Sequence, residues 1–309
     1  MGTSVPEVGL GTLTWGRDTE EEVAAGQLAD FVSAGGQVVD TSPYFGGGAA
    51  QYVLGHILAE KIDRADIHIV SRAGLAPHGP DASRSAILTG VRATLAELGT
   101  DWIDTLVLAE PDHTTDPEET ADVLADLVHR GTVTSVGLGN CPGWYGGYVG
   151  TLLAQRGVKP AAFHMEYSLL NRGIEREIVP LAARTGAGII AWSPLGRGVL
   201  TGRYRHSTPA DSRAASPNFA AFIEPYMGSS SRQVVEAIAT AADGLGTDIA
   251  TVSLAWVLAQ DHVTCAVIGP RTRAQLTSLL DSDLAEVPAA VTDALTEVTT
   301  PSFGYPERF

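Results

Sequence analysis

Cysteine is scarce in this sequence, in which Cys141 and Cys265 are the only two among 309 residues. Two cysteines so far apart cannot build a disulfide framework, and their spacing matches no metal-binding cluster. We therefore expect no metal site. The segment from Met1 to Gly11 also lacks the basic stretch and apolar run that mark a secretory signal. These absences predict a cytoplasmic protein.

Positive charge is scarce as well. The chain carries 20 lysines and arginines against 36 aspartates and glutamates, which gives a formal net charge of -16. A surface this acidic repels phosphate backbones and anionic lipid headgroups. No apolar run approaches the ~20 residues that span a bilayer. We therefore expect no nucleic-acid partner and no membrane partner, and a small molecule is the expected ligand.

What the sequence does contain is a regular alternation of short apolar segments with longer helical patterns. Hydrophobic residues make up 44% of the chain, which is enough for a large core. Each apolar segment is bounded by polar residues or glycine, as expected for strands buried on both faces. The predicted strands are Val8–Leu10, Gln37–Asp40, Ile67–Ser71, Ile103–Leu108, Thr134–Leu138, Ala161–Met165, Ile189–Trp192 and Thr264–Ile268. The predicted helices are Glu20–Ala34, Gln51–Glu60, Ser83–Leu98, Pro117–Arg130, Tyr148–Arg156, Glu175–Thr185 and Ile249–Gln260.

This alternation predicts an α/β fold, the (β/α)8 TIM barrel, because parallel neighbours joined by helical crossovers close into a barrel at eight units. An open doubly wound sheet is the alternative, but the sequence around Gly9 and Gly11 does not match its phosphate-binding fingerprint. We expect residues 1–309 to form one domain. The stretch 203–231, rich in Ser, Pro, Ala and Asn, interrupts the alternation and is predicted to be a long loop, such as a lid over the site.

A barrel of this kind carries its active site at the carboxyl ends of its strands, and the residues there form recognisable motifs. In chain order these motifs resemble those of the aldo-keto reductase family, and the match runs along nearly the whole chain. They are Val8-Gly9-Leu10-Gly11-Thr12, Asp40-Thr41-Ser42-Pro43-Tyr44, Val136-Gly137-Leu138-Gly139-Asn140, the segment from Glu166 to Arg172, and the segment from Trp192 to Gly202.

The resemblance implies an NADP(H)-linked carbonyl reductase whose catalytic residues are aspartate, tyrosine, lysine and histidine. Asp40 and Tyr44 match two of these positions, and the tyrosine would donate a proton to the substrate oxygen. Arg72 stands where the family has lysine, and Ala109 stands where it has histidine. Arginine keeps the positive charge but cannot relay a proton, and it can pair with Asp40. We take Asp40, Tyr44 and Arg72 as the candidate catalytic residues.

The resemblance also assigns residues to the cofactor. Asn140 and His164, the latter at a glutamine position of the family, would hold the nicotinamide carboxamide, and Tyr167 would stack on its ring. The loop after the seventh strand would wrap the pyrophosphate, and the segment from Arg271 would bind the adenosine 2′-phosphate. The complete predicted cofactor set is Asn140, His164, Tyr167, Ser193, Leu195, Gly196, Arg197, Arg271, Thr272 and Gln275.

Trp15, Ala109, Glu110 and Trp144 are the candidate substrate-pocket residues. Ala109 leaves space where the family has an imidazole, which suits a bulkier or differently oriented substrate. Glu110 is the next residue along, and if the strand continued its side chain would point away from the site.

Three functions stay open on this evidence. The first is an NADPH-dependent reductase of a carbonyl or a conjugated enone, with a biosynthetic substrate of polyketide or deoxysugar type. The second is a barrel enzyme that has left redox chemistry and acts as a dehydratase, cyclase or isomerase, since two of four catalytic positions differ. The third is a non-catalytic cofactor-binding protein.

Overall fold

The computed structural model describes residues 7–76, 78–209, 212–216, 219–282, 284 and 287–304. Within these residues eight parallel strands close into a barrel, which confirms the predicted (β/α)8 TIM barrel. Each strand pairs with its neighbours in chain order, and the first pairs with the last. The strands are β1 (Glu7–Gly11), β2 (Val38–Asp40), β3 (His68–Ala73), β4 (Ile103–Leu108), β5 (Val133–Gly139), β6 (Pro160–Glu166), β7 (Gly188–Trp192) and β8 (Val263–Ile268).

A layer of small apolar side chains fills the middle of the barrel. It consists of Val38, Val70, Val107, Ala162, Ile190, Cys265 and Val267. Because side chains alternate between the two faces of a strand, the residue two positions further along also points inward. This register decides which residues form the floor of the site.

Helices surround the barrel and cover its outer face. Their starts follow local capping chemistry: the Asp116 carboxylate accepts a hydrogen bond from the Glu118 amide ahead of a helix that begins with Pro117. The helices are α1 (Glu21–Ser33), α2 (Ala49–Glu60), α3 (Arg84–Leu98), α4 (Pro117–His129), α5 (Gly143–Gln155), α6 (Ile178–Thr185), α7 (Ala220–Ile223), α8 (Ser229–Leu245), α9 (Ile249–Leu258), α10 (Arg273–Leu280) and α11 (Ala289–Val298). Every helix in the described ranges is too short or too polar to span a membrane.

Helix α5 begins five residues earlier than the sequence predicts. Its first turn contains several glycines, which disfavour a helix by intrinsic propensity. Packing reverses that preference, because a Cβ at Gly146 would lie 3.0 Å from Leu181 Cδ2 and 3.1 Å from Phe163 Cε1. A side chain at this position would push these neighbours outward by a few tenths of an ångström, so glycine favours the close packing of α5.

The segment 203–231 is not a loop throughout, which corrects the prediction. It contains the short helix α7, and α8 begins inside it at Ser229; residues 210, 211, 217 and 218 lie outside the described residues. Helices α8, α10 and α11 were not predicted. A signal for α8 was present, because Val235, Ile238, Ala239 and Ala242 recur at helical spacing and are buried.

Candidate active site

A cavity of about 740 Å³ opens at the carboxyl ends of the barrel strands, the end that carries the active site in barrels of this kind. Its volume lies within the ~300–1,000 Å³ typical of small-molecule sites. Asp40, Arg72, Ala109 and Trp192 line one part of it, and each stands two residues after a member of the central apolar layer. Alternation along the strands therefore places them at the bottom of the cavity.

Asp40, Arg72 and His164 form a compact cluster on this floor. Arg72 Nη2 donates to both carboxylate oxygens of Asp40, at 3.0 and 2.9 Å, and Nη1 donates to the Thr41 carbonyl at 3.1 Å. His164 Nε2 lies 2.9 Å from the same Nη2 and 3.1 Å from Asp40 Oδ1. The pairing of Arg72 with Asp40 that the sequence allowed is thus present in the structure.

The charges of this cluster are coupled. Burial opposes the ionisation of Asp40, but the Arg72 guanidinium holds its pKa below the usual value. Burial and the neighbouring Arg72 charge lower the pKa of His164, which favours the neutral ring. Nε2 of a neutral ring can accept from Arg72 or donate to Asp40, but not both; because every guanidinium N–H is a donor, we assign the Nε2 lone pair to Arg72.

Tyr44 is not among the residues that line the cavity. Its hydroxyl donates to the Leu75 carbonyl at 2.8 Å and accepts from the Leu75 amide at 3.3 Å. Leu75 belongs to a short hairpin of Leu75–Ala76 and Gly79–Pro80 that follows β3. Burial raises the pKa of Tyr44, and the charge of Asp81 raises it further. The phenol is therefore engaged with the hairpin and is a weaker acid than usual.

Ala109 and Glu110 both line the cavity. Strict alternation would turn one of them away, but β4 ends at Leu108, so the rule no longer applies at residue 110. The Pro111-Asp112 pair that follows fixes the loop, because Asp112 accepts from the amides of Ala82, Thr114 and Thr115.

Trp192 is a site residue that the sequence analysis did not assign to the cofactor. It follows Ile190 on the inner face of β7 and lines the cavity, and its indole Nε1 donates to Asn140 Oδ1 at 3.1 Å. Asn140 adopts a left-handed conformation with φ 42°. Counting two residues on from the buried Ile190 would have identified this tryptophan as an aromatic wall of the site.

The loop after β7 lines the middle of the cavity with Ser193, Leu195, Arg197 and Gly198. Ser193 and Arg197 have φ of 52° and 57°, a backbone conformation uncommon outside glycine. The amides of Gly196 and Gly198 donate within the loop, to the carbonyls of Ser193 and Leu195.

The Arg197 side chain points to Glu166 and to α7. Nε and Nη2 donate to the two Glu166 oxygens at 2.7 and 2.6 Å, and Nη1 donates to the Phe222 carbonyl at 2.5 Å. The rings of Phe222 and Tyr226 lie 4.0 and 4.9 Å from its guanidinium carbon. Arg197 thereby ties the loop to the segment that covers it.

Arg271 and Gln275 line the other end of the cavity. Thr272 caps α10 by accepting from the Gln275 amide at 3.2 Å, and Gln275 Oε1 accepts from the Arg271 amide at 2.9 Å. This reciprocal capping sets where α10 begins and holds Arg271 at the cavity edge. Leu279 also lines this end.

Trp15, Trp144 and Tyr167 lie outside the cavity lining, as do four further candidates, Tyr44, His164, Gly196 and Thr272. Trp15 is fully buried and its indole donates to Gln27 Oε1 at 3.0 Å. Trp144 is 68% exposed on α5. Tyr167 is buried against Trp256, and its hydroxyl donates to Glu175 Oε1 at 2.7 Å. Tyr167 follows the strand β6 by one residue, out of step with Ala162 and His164, which explains its outward direction.

Comparison with known proteins agrees with this architecture. The sequence profile of the aldo/keto reductase family matches residues 7–299. The chain belongs to the aldo/keto reductase family. An uncharacterized oxidoreductase of Bacillus subtilis, YrpG, is 30% identical over 294 residues, which cover 89% of this chain and 86% of that protein. Probable voltage-gated potassium channel beta subunits of Oryza sativa and Arabidopsis thaliana are 26% and 27% identical, each over 89% of this chain and 86% of theirs.

Membership of this family makes the chain an oxidoreductase-type barrel that acts on small molecules. In this member of the family the barrel floor carries an arginine–aspartate–histidine cluster. The phenol of Tyr44 is bonded elsewhere.

Proposed function

We propose that this single-domain protein is a cytoplasmic NADP(H)-dependent reductase of a carbonyl or conjugated enone, with an altered catalytic tetrad and a biosynthetic substrate of polyketide or deoxysugar type. The observation that carries the proposal is the continuity of the cavity. One space of about 740 Å³ runs from Arg271 and α10 at one end to the Asp40–Arg72 pair at the other. A dinucleotide reductase needs a cationic end for phosphate and a separate reacting end.

The residues present fit such a cofactor. Arg203 and Arg271 line the cavity together with small residues such as Gly198, Gly269 and Ala274. Arginine forms paired hydrogen bonds with phosphate, and small residues allow a close approach. Asn140 is placed to hold a carboxamide, and Trp192 offers a flat ring beside it. When bound, NADPH would supply a hydride to a carbon of the substrate.

Arg72 and Asp40 prepare the reacting end. The electron pair displaced by reduction moves to the substrate oxygen, and a positive group held there in advance stabilises the developing charge. Asp40 fixes the Arg72 guanidinium at this place. Phe45, Leu75 and Trp192 line the surrounding wall and place apolar surface beside the pair.

The placement of Tyr44 favours an enone over a simple aldehyde. Reduction of an aldehyde needs a proton at oxygen, the family role of the phenol, and here that phenol is bonded to Leu75. Reduction of an enone places hydride on the β-carbon and a proton on the α-carbon, and water in the open cavity can supply that proton. The space at Ala109 also allows the substrate to sit deeper.

The same observation supports a second candidate. A barrel in which the Tyr44 phenol is not at the reacting end, while the Asp40–Arg72 ion pair is, suits a dehydratase, cyclase or isomerase. Such an enzyme would convert its substrate equally well after complete removal of nucleotide. Strict dependence on NADPH turnover would exclude it.

The test begins with nucleotide binding to the purified protein, by quenching of tryptophan fluorescence and by titration calorimetry. We expect binding that prefers NADPH to NADH, followed by NADPH oxidation with 2-cyclohexen-1-one in a panel that includes aromatic aldehydes. Absence of nucleotide binding would overturn the proposal. Binding without turnover of any compound would point to a non-catalytic cofactor-binding protein.

A further inference from the structure

We propose that His164 positions Arg72 so that the remaining N–H groups of the guanidinium hold the substrate oxygen. His164 would then act on the reaction through Arg72 and not through the nicotinamide carboxamide. This inference rests on the proposed function, because it concerns the oxygen of the substrate that is reduced. It makes Arg72 a catalytic residue and His164 a positioning residue.

The first step is a count of hydrogen-bond donors. A guanidinium has five N–H groups in a rigid plane. Asp40 and His164 occupy the two of Nη2, and the Thr41 carbonyl occupies one of Nη1. The Nε–H and the second Nη1–H remain. Within the described residues, the buried polar atoms that lack a hydrogen-bond partner do not include Arg72 Nε. Because Arg72 lines the cavity, these two donors are available to a ligand.

The protein holds the Arg72 guanidinium rigidly. Three acceptors from two segments, the end of β2 and strand β6, hold the guanidinium plane, and the Phe45 ring lies 4.9 Å from its central carbon. His164 is completely enclosed, with 1% of its surface exposed. Its backbone carbonyl also accepts from the Asn140 amide at 3.2 Å. A buried acceptor on strand β6 thus fixes the direction in which Arg72 presents its free donors.

The arginine at position 72 depends on the histidine at position 164 for a hydrogen-bond acceptor. A lysine ammonium is a point donor and cannot reach Thr41, Asp40 and His164 with the same spacing as a planar fork. An arginine at position 72 brings an extra N–H that needs an acceptor, and His164 supplies it at 2.9 Å. Without that acceptor, one buried N–H of Arg72 would lack a hydrogen-bond partner, or the guanidinium plane would rotate.

The first experiment replaces His164 in the full-length protein. His164→Gln keeps a hydrogen-bond acceptor for Arg72, and His164→Leu removes it. With NADPH and 2-cyclohexen-1-one we expect H164L to lower kcat about 10- to 100-fold with little change in KM, in the range of losing a preorganised donor. We expect H164Q to retain kcat within about threefold. Thr94→Val, which removes a buried hydroxyl bonded to Ser71, is the matched control and should leave kcat unchanged.

The second experiment tests the coupling directly. Arg72→Lys should lower kcat/KM at least fivefold more in the wild-type background than in the H164L background, where the acceptor that holds Arg72 is already lost, since coupled neighbours are non-additive by ~2-fold or more. Equal costs in both backgrounds would overturn the inference. So would an H164L enzyme with wild-type kcat.

The third experiment does not depend on turnover. In nitrogen-15-labelled protein without nucleotide, the Arg72 side-chain resonances are assigned from their loss in R72K. We expect separate Nη signals in wild type and H164Q, exchange-broadened Nη signals in H164L, and a shift of the Arg72 Nε signal on addition of 2-cyclohexen-1-one. Unchanged Nη signals in H164L, or no Nε shift, would contradict the inference. If these results hold but no compound is reduced, the proposed function fails while the role of His164 stands.

Discussion

Two arginine–carboxylate pairs hold this site, and they differ in which guanidinium nitrogens the protein engages. Arg72 rises from strand β3 and meets Asp40 through one nitrogen, Nη2. Arg197 comes from a loop and meets Glu166 through two nitrogens, Nε and Nη2, with Nη1 on the Phe222 carbonyl. Both are arginine–carboxylate ion pairs, but their hydrogen-bond geometries give them different roles.

The difference shows that charge alone does not identify a ligand-binding arginine. All three nitrogens of Arg197 hold the protein together, and aromatic rings stack near its guanidinium. The resemblance to the family implies that the loop from Ser193 to Arg197 wraps the pyrophosphate with its backbone amides, and the Arg197 side chain ties that loop to α7. Within the described residues, Arg72 instead engages only its two Nη nitrogens and leaves its Nε without a protein partner.

Replacing Arg72 should have the largest effect. Arg72→Met leaves the Asp40 carboxylate, which is 4% exposed, without its cation. We expect a loss of about 3–5 kcal/mol in the free energy of unfolding and a fall in kcat/KM of about 100-fold or more. Urea unfolding and NADPH oxidation measure the two. The double variant R72M with D40N should recover stability but not turnover, and recovery of both would refute the catalytic role.

The Asp40 pair also predicts a pH dependence. The folded-state pKa of Asp40 lies below its usual value, so the unfolded state binds a proton more readily. The stabilisation is complete above about pH 4 and is lost as pH falls through the lower folded pKa. Unfolding curves between about pH 2 and 6 should therefore converge for wild type and D40N at the acidic end. Parallel curves would contradict this coupling.

Replacing Arg197 should have a smaller and different effect. Arg197→Met leaves the Glu166 carboxylate without its cation, but at 11% exposure it is less buried than Asp40, so we expect a loss of about 2 kcal/mol in the free energy of unfolding. The loop would lose its tie to α7, and the Kd for NADPH should rise about tenfold with kcat nearly unchanged. A fall in kcat equal to that of R72M would erase the distinction between the two pairs.

Arg271→Ala sharpens the comparison at the other end of the cavity. Loss of a charge-assisted hydrogen bond should raise the Kd for NADPH about 10- to 100-fold and change that for NADH little. Titration calorimetry with both nucleotides measures the ratio. Arg92→Ala, on the exposed face of α3, is the matched control for loss of one positive charge. Equal weakening of both nucleotides would contradict a role in binding the 2′-phosphate.

Tyr44→Phe should have the smallest effect. It removes the hydrogen bonds to the Leu75 backbone, which predicts a loss of about 1 kcal/mol in the free energy of unfolding. Turnover of 2-cyclohexen-1-one should stay within about threefold, because the phenol is bonded to Leu75. A loss of about 100-fold in turnover would instead return the proton-donor role to Tyr44.

The spacing of hydrophobic residues along the sequence predicted much of this fold. All eight predicted strands correspond to barrel strands, because parallel strands buried on both faces need short continuous apolar runs. The same reading failed at α5, where glycine content concealed a helix that close packing stabilises. The floor of the site was partly readable too, since Asp40, Arg72, His164 and Trp192 each follow a buried residue by two positions. Tyr167 breaks that rhythm and was assigned to the cofactor.

The sequence by itself determined the barrel, the family and the presence of Arg72 and Ala109 at positions where the resemblance implies lysine and histidine. Those features depend on residue identity and on spacing along the chain, both of which are local. Only the tertiary structure decided which partner each polar group takes. The phenol of Tyr44 bonds Leu75, Arg197 bonds Glu166, and His164 bonds Arg72. These choices join residues 31 to 92 positions apart, and buried donors and acceptors are satisfied by the neighbours that folding brings within about 3 Å.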